Sequence, residues 1–225
     1  MINKTFLQRL VFLISVFALP AMLYSTNLNL NGSGTKNFFV NEKVNPAEIL
    51  FISNAPLEDI RGTVNDDAVT GTLAIDPSNV ELAQGVVKVN VRGMETGIKN
   101  RNKHLFSSEW LDADTYPDII FNLLKLSNVK SSQSETIPNR ASFSADAAGT
   151  ITIHGKSKNI IVPISMTYIK ESAETKQRAP GDFIHVSGNF DVSLKDFDIS
   201  GTQGIVGTKV GEIIKINFSL FYSSK

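Results

Sequence analysis

The chain has no cysteine among its 225 residues. Disulfide frameworks, thiolate zinc sites, iron–sulfur clusters and cysteine nucleophiles are thereby excluded together. Histidine is scarce, with only His104, His154 and His185 present. No His-x-His, His-x3-His or carboxylate pair at ligand spacing occurs, so the sequence carries no metal-site signature. An excess of charge of either sign is also missing, because 22 Lys and Arg balance 22 Asp and Glu. Without a basic field to gather phosphates, nucleic acid is not expected as a partner. Ser107 and Ser108 lack the Gly-x-Ser-x-Gly elbow of a hydrolase. The glycines between positions 201 and 207 lack the Lys and helix of a phosphate loop and read as tight turns before a last strand. What remains is an ordinary globular composition, 42% hydrophobic and 20% charged, enough for one large domain or two small ones.

A long hydrophobic run is absent too. Lys4 and Arg9 precede an uncharged stretch at 10–19, which Pro20 interrupts. A membrane span needs about 20 apolar residues. The layout of positive region, short apolar region and helix breaker is that of a secretory signal, expected over residues 1–25. Ala21 and Ser25 are small, but Leu19 and Leu23 stand two residues before them, which leaves the cleavage site undefined. The expected location is the periplasm, the alternative being an inner-membrane anchor formed by the uncleaved signal. No cysteine follows, so a lipoprotein anchor is excluded. Removing residues 1–25 takes away Lys4 and Arg9 and no acid, leaving 20 bases against 22 acids and a net charge of −2. Residues 26–37 are polar and rich in Asn and Gly and read as a linker, with the folded domain at 38–225.

That domain reads as strands. Val87, Val89 and Val91 alternate with Lys88, Asn90 and Arg92, the period-2 pattern of a half-buried strand. The alternation recurs in Ile184, Val186, Phe190 and Val192, in Ile160, Val162, Ile164, Met166 and Tyr168, and in Ile214, Ile216, Phe218, Leu220 and Tyr222. Val69, Leu73 and Ile75 give a further face, and Ile151 with Ile153 a shorter one. Turn residues at 65–67, 76–79, 155–159 and 179–182 separate them. About eight or nine strands result. Long antiparallel strands with one apolar face must cover that face and protect their edges; a closed barrel does both, and a sandwich is the alternative. One helical island interrupts the pattern at 96–107, where Thr96 is a plausible N-cap. Residues 127–139 and 170–181 are polar and read as exposed loops.

Thr96-Gly97-x3-Arg101-Asn102-x-His104-Leu105-x-Ser107-x2-Trp110-Leu111-Asp112-x-Asp114-x-Tyr116-Pro117-x-Ile119-x-Phe121 resembles the central signature of the YceI-like family of periplasmic polyisoprenoid-binding proteins. Gly71-x4-Asp76-Pro77 upstream, and Gly149 to Gly155 and Gly188-x-Phe190 to Asp196-Phe197-x-Ile199 downstream, stand in the family's order. The resemblance runs over about residues 37–224. It implies an all-β fold, an eight-stranded antiparallel lipocalin-like β-barrel with one short helix between strands and an apolar tunnel for a lipid chain. Two positions depart from the pattern: many members carry Asp where this chain has Asn102, and a His where it has Asn54-Ala55-Pro56.

An eight-stranded barrel is about wide enough to hold one small ligand. Inward faces of Val, Ile, Leu, Phe and Met offer no hydrogen bonds and would select an apolar, extended partner; the alternation alone fits a filled core equally well. A chain burying about 500 Å² would gain on the order of 12 kcal/mol before association costs. The expected lining is Phe51, Leu73, Ile75, Val89, Phe121, Ile153, Ile164, Met166, Val186, Phe190, Ile216 and Phe218, with Arg101, His104 and Trp110 near the mouth. The expected ligand is a polyisoprenoid, an isoprenoid quinone or a fatty-acid-like molecule; no other cofactor is expected, and transient membrane contact and a homodimer are compatible with this. His104 with Asp112 and Asp114 could be an acid–base set. The plainer roles are packing of the helix for His104 and shaping of the turn before Pro117 for the acids. The overall expectation is an exported carrier or store of lipid without catalysis. The alternatives are a lipid-modifying enzyme using His104 and a structural envelope protein with a filled barrel.

Overall fold

The computed structural model describes residues 26–28, 34–132 and 139–225. The signal expected at 1–25 lies outside the described residues, as do residues 29–33 of the linker. In chain order the strands are β1 (Lys36–Val40), β2 (Glu48–Asn54), β3 (Asp59–Val64), β4 (Val69–Asp76), β5 (Asn79–Asn90), β6 (Met94–Glu95), β7 (Asp118–Ser131), β8 (Arg140–Ile153), β9 (Lys156–Ile169), β10 (Phe183–Ser193) and β11 (Ile213–Ser223). Period-2 patterning controls which side chains turn inward. On β8 it is unbroken: every second residue from Ala141 to Ile153 is buried and those between are not.

Eight of these strands form a ring in the order β1-β4-β5-β7-β8-β9-β10-β11. Closure depends on the short β1, which pairs antiparallel with β4 through Phe38↔Leu73 and with β11 through Phe39↔Ser223 and Val40↔Tyr222. The barrel is therefore closed and antiparallel, as a lipocalin-like fold requires. Further along β11, β2 takes over as its neighbour, with Ile214↔Ser53 and Ile216↔Phe51 in register. β3 and the two-residue β6 extend that side, making a three-stranded flap at one end.

Several elements differ from the sequence expectation, each for a local reason. The described residues hold 11 strands, more than the expected eight or nine, because β1, β3 and β6 are too short to display a long alternation. Residues 127–131, expected in a loop, continue β7, and β8 begins at Arg140; residues 133–138 between them lie outside the described residues. Register shifts between Leu123 and Lys125 and between Ser127 and Lys130 break the alternation there, exposing Leu124 while Leu126 is buried. The expected linker also overlaps structure, since Lys36 and Asn37 belong to β1. The helix expected at 96–107 is α1 (Lys99–Leu105), and Thr96 does not cap it. A second helical turn, α2 (Ala173–Lys176), lies in the 170–181 segment, held by a capping box between Ser172 and Thr175.

The end of the barrel away from the flap is filled. Phe38, Ile75, Leu126, Phe143, Tyr168 and Ile184 are almost completely buried there in one cluster. Ile75 was expected to line a tunnel; it sits instead in this plug, one period further along β4 than Leu73. Asp182 closes the plug. Its carboxylate accepts from Lys36 Nζ at 2.5 Å, Tyr168 Oη at 2.6 Å and the Glu171 amide at 2.8 Å. Burial pushes the Asp182 pKa up, but these donors outweigh it and hold the carboxyl below its ordinary value. Burial first, and the bond to Asp182 second, push the Tyr168 hydroxyl up, so it stays a donor.

Asp182→Ala leaves a buried hydroxyl and an ammonium without their acceptor and is expected to cost about 2–4 kcal/mol at pH 7, read by chemical denaturation. A carboxyl with a depressed folded pKa contributes stability above its unfolded value, near 3.9, and loses it as pH falls through the folded value. The gap between wild type and Asp182→Asn should therefore be full at pH 7 and narrow below about pH 4.

Candidate functional site

Above the plug the barrel is open inside. A deep cavity of about 180 Å³ is walled by Leu73, Val89, Phe121, Ile164, Met166, Val186, Phe190 and Phe218. A wider one of about 330 Å³ lies under the flap and is bounded by Arg101, His104 and Trp110. Phe51, Met94, Ile119, Ile153, Val192 and Ile216 border both, so the two spaces adjoin along the barrel interior. Of the residues expected from the sequence to line a tunnel or its mouth, all but Ile75 thus face this space.

What keeps the interior open despite so many phenylalanines is the position of three glycines. Phe51 faces Gly62 across the β2–β3 pair, and a Cβ on Gly62 would lie 2.1 Å from the ring. Phe218 faces Gly188 across β10–β11, where the gap would be 2.9 Å. Phe121 lies diagonally across Gly149, where it would be 2.7 Å. Each ring lies against a glycine of a neighbouring strand, in space that a Cβ there would take, the same device by which an aromatic side chain shields a strand glycine.

The mouth is built differently. α1 lies beside it, with Asn100, Arg101, His104 and Leu105 facing the opening. The Arg101 guanidinium pairs with the Glu58 carboxylate from the β2–β3 turn, tying helix to flap. Asn102 fixes the helix from behind. Buried, it accepts from the Thr96 amide at 3.0 Å and the Thr96 hydroxyl at 2.6 Å, and its Nδ2 donates to Glu95 at 2.6 Å. That bond, and a second from the Gly97 amide, hold the Glu95 carboxyl below its ordinary value. An amide can accept on one side and donate on the other; a carboxylate at this position would face Glu95 with like charge.

The opposite wall comes from the glycine-rich loop after β10, whose Ile205, Lys209 and Val210 reach the mouth and were absent from the expected lining. Their apolar spacing in an aperiodic loop gives no strand or helix signal. Trp110 packs over Gly201, whose φ of +61° and missing Cβ, which would sit 2.5 Å from the indole, both call for glycine. Of the other histidines, His154 sets its Nδ1 3.2 Å from the Phe197 carbonyl, and His185 lies on the barrel's outer side, stacked on Phe221 at 4.4 Å. His104 is exposed; of the acids expected near it, Asp114 pairs with Arg92 at 2.5 Å, and Asp112 shapes the turn, its backbone carbonyl accepting the Thr115 and Tyr116 amides. Among the described residues no cluster of His, Asp and Glu side chains could hold a metal ion.

A closed antiparallel barrel with an apolar interior space and a polar mouth defines a lipocalin-like architecture. Its match to the YceI-like domain spans residues 43–222, and the chain belongs to that family. A curated relative, a UPF0312 protein of Vibrio cholerae, is 25% identical over 129 residues, which are 57% of this chain and 60% of that protein. Among solved structures, Burkholderia cenocepacia BcnA superposes with a TM-score of 0.61 at 17% identity, covering 81% of this chain and 98% of the other. A polyisoprenoid-binding domain from Saccharophagus degradans gives 0.59 at 13% identity over 84% and 98%. At these identities the two structures establish the fold.

Two substitutions check the site's construction. Gly188→Val is expected to push the Phe218 ring into the lumen and to press on the Pro163 carbonyl, which a Cβ would meet at 2.6 Å, lowering uptake of a fluorescent fatty acid several-fold at a stability cost of at least about 1–3 kcal/mol. Asn102→Asp should lower the melting temperature by about 3 °C at pH 7, the loss shrinking below about pH 4 as the two facing carboxyls protonate.

Proposed function

We propose that this chain is exported to the periplasm and holds a polyisoprenoid, or a similar long-chain amphiphile, in its barrel as a carrier or store, without acting on it chemically. The observation that carries this reading is a pair of adjoining apolar cavities left unfilled inside a closed barrel. Proteins pack their interiors densely, and a void of this size lined by Val, Ile, Leu, Phe and Met has no structural use. Apart from Thr72 and Tyr222, the deep walls offer no hydrogen-bonding side chain, so they suit a hydrocarbon chain. Polar groups gather at the other end, where Asn100, Arg101, His104 and Lys209 surround the opening. The ligand enters tail first and leaves its head group among them. The S. degradans neighbour, described as a polyisoprenoid-binding domain, supports the choice of ligand class.

Protein purified from its own host should release a stoichiometric lipid into organic solvent, identified by mass spectrometry. Val89→Trp should abolish that lipid while changing stability by less than about 1 kcal/mol, because the indole enters vacant space. Ala145→Trp, in the filled plug, should cost more than about 1–3 kcal/mol by overpacking. A folded protein that yields no lipid and takes up no prenyl chain would overturn the reading.

A further inference from the structure

The tunnel has a floor, and the floor limits the chain it can take. Leu73, Met166, Leu220 and Tyr222 are the deepest lining residues. Directly beyond them Phe38, Phe143 and Tyr168 fill the barrel, each no more than 1% exposed, and Phe143 stands opposite Met166 in the β8–β9 register. The Asp182 bonds to Lys36 and Tyr168 fasten this end, so a tail arriving at Met166 meets close-packed aromatic rings.

Two estimates of the available room agree. A 150 Å³ cavity accommodates benzene, about 25 Å³ per carbon, so spaces of about 330 and 180 Å³ together hold on the order of 20 carbons. Length gives a similar figure. Along β11 the lining runs from Ile214 to Tyr222, eight steps of about 3.3 Å, or about 20 Å along the axis of a barrel whose strands tilt by about 40°. An extended chain with bonds of about 1.5 Å advances about 1.25 Å per carbon, which gives about 16 carbons.

Resting on the lipid-binding reading above, we propose that the barrel encloses at most about 16–20 carbons of a single chain, close to four isoprene units, with Phe143 and Met166 setting the limit. Longer polyprenyl chains bind only with their excess outside the barrel. They gain nothing from it, because area left in water contributes no transfer free energy.

The test uses the delipidated full-length chain and four prenyl alcohols presented from one detergent: geraniol, farnesol, geranylgeraniol and solanesol, of two, three, four and nine isoprene units. Competition against a fluorescent fatty acid reads relative affinity. Each unit added up to geranylgeraniol should tighten binding at least tenfold, and solanesol should stay within threefold of geranylgeraniol. Phe143→Ala lowers the floor and should shift the ratio between the five-unit alcohol geranylfarnesol and geranylgeraniol at least threefold toward the longer chain. Met166→Ala is the second variant, should the first fail to fold. Solanesol binding tenfold tighter than geranylgeraniol, or an unchanged ratio in a folded floor variant, would overturn the length limit and leave the tunnel reading intact. Binding of none of the alcohols would overturn both.

Discussion

Ring closure through β1 is the constraint on which the rest of the molecule depends. The five residues of β1 bridge β4, at four positions, to the end of β11, at two, and once they do so the width of the interior is set by strand number. The wall then keeps its shape through its ladders, of which β8–β9 runs the full length of both strands while β9 and β10 pair only from Ile164 to Ile169. A helical bundle or an open sandwich could not leave its center vacant in this way, since packing across the center holds such folds together.

The interior is then divided by the bulk of the inward side chains. At one end Phe38, Phe143 and Tyr168 meet in the middle, and the Asp182 carboxylate ties β1, β9 and the start of β10 around them. Toward the other end phenylalanines are no rarer, yet Phe51, Phe121 and Phe218 lie over glycines of adjacent strands and leave the middle empty. Whether a barrel segment becomes plug or tunnel is thus decided less by composition than by what stands opposite each ring. Gly188 and Gly149 fall within sequence motifs of the family, and their place against aromatic rings gives those motifs a physical role.

Much of this was legible in the chain. Long alternating strands report their inward faces directly, and for that reason Val89, Phe190, Ile216 and Phe218 could be assigned to the interior from residue order alone. Ile75 marks the limit of such reasoning: periodicity tells which face a residue occupies but not how far down the barrel the ring stays open, which depends on side chains contributed by β1, β8 and β9. The β7 bulges hid a strand extension for the opposite reason, since one added residue moves every later side chain to the other face. Loop residues such as Ile205 and Lys209 carry no period, and only the tertiary structure brings them to the mouth. Asn102, a departure from the family pattern, finds its reason in its partners: Glu95 accepts from its amide, which makes an amide the fitting side chain there.

An unfilled tunnel has an energetic meaning. At about 24 cal/mol per Å³ of cavity, spaces of about 330 and 180 Å³ represent on the order of 12 kcal/mol of packing that the empty barrel forgoes. A hydrocarbon chain burying about 500 Å² would recover a gross gain of the same order. The two quantities match because they describe the same missing contacts, seen once from the wall and once from the ligand. Binding N and not U, such a ligand also raises the stability of the fold by mass action. Ring closure, the glycine-backed rings and the polar mouth act together here: the first lets the barrel stand without a filled center, the second keeps that center clear, and the third leaves one end through which a chain can enter.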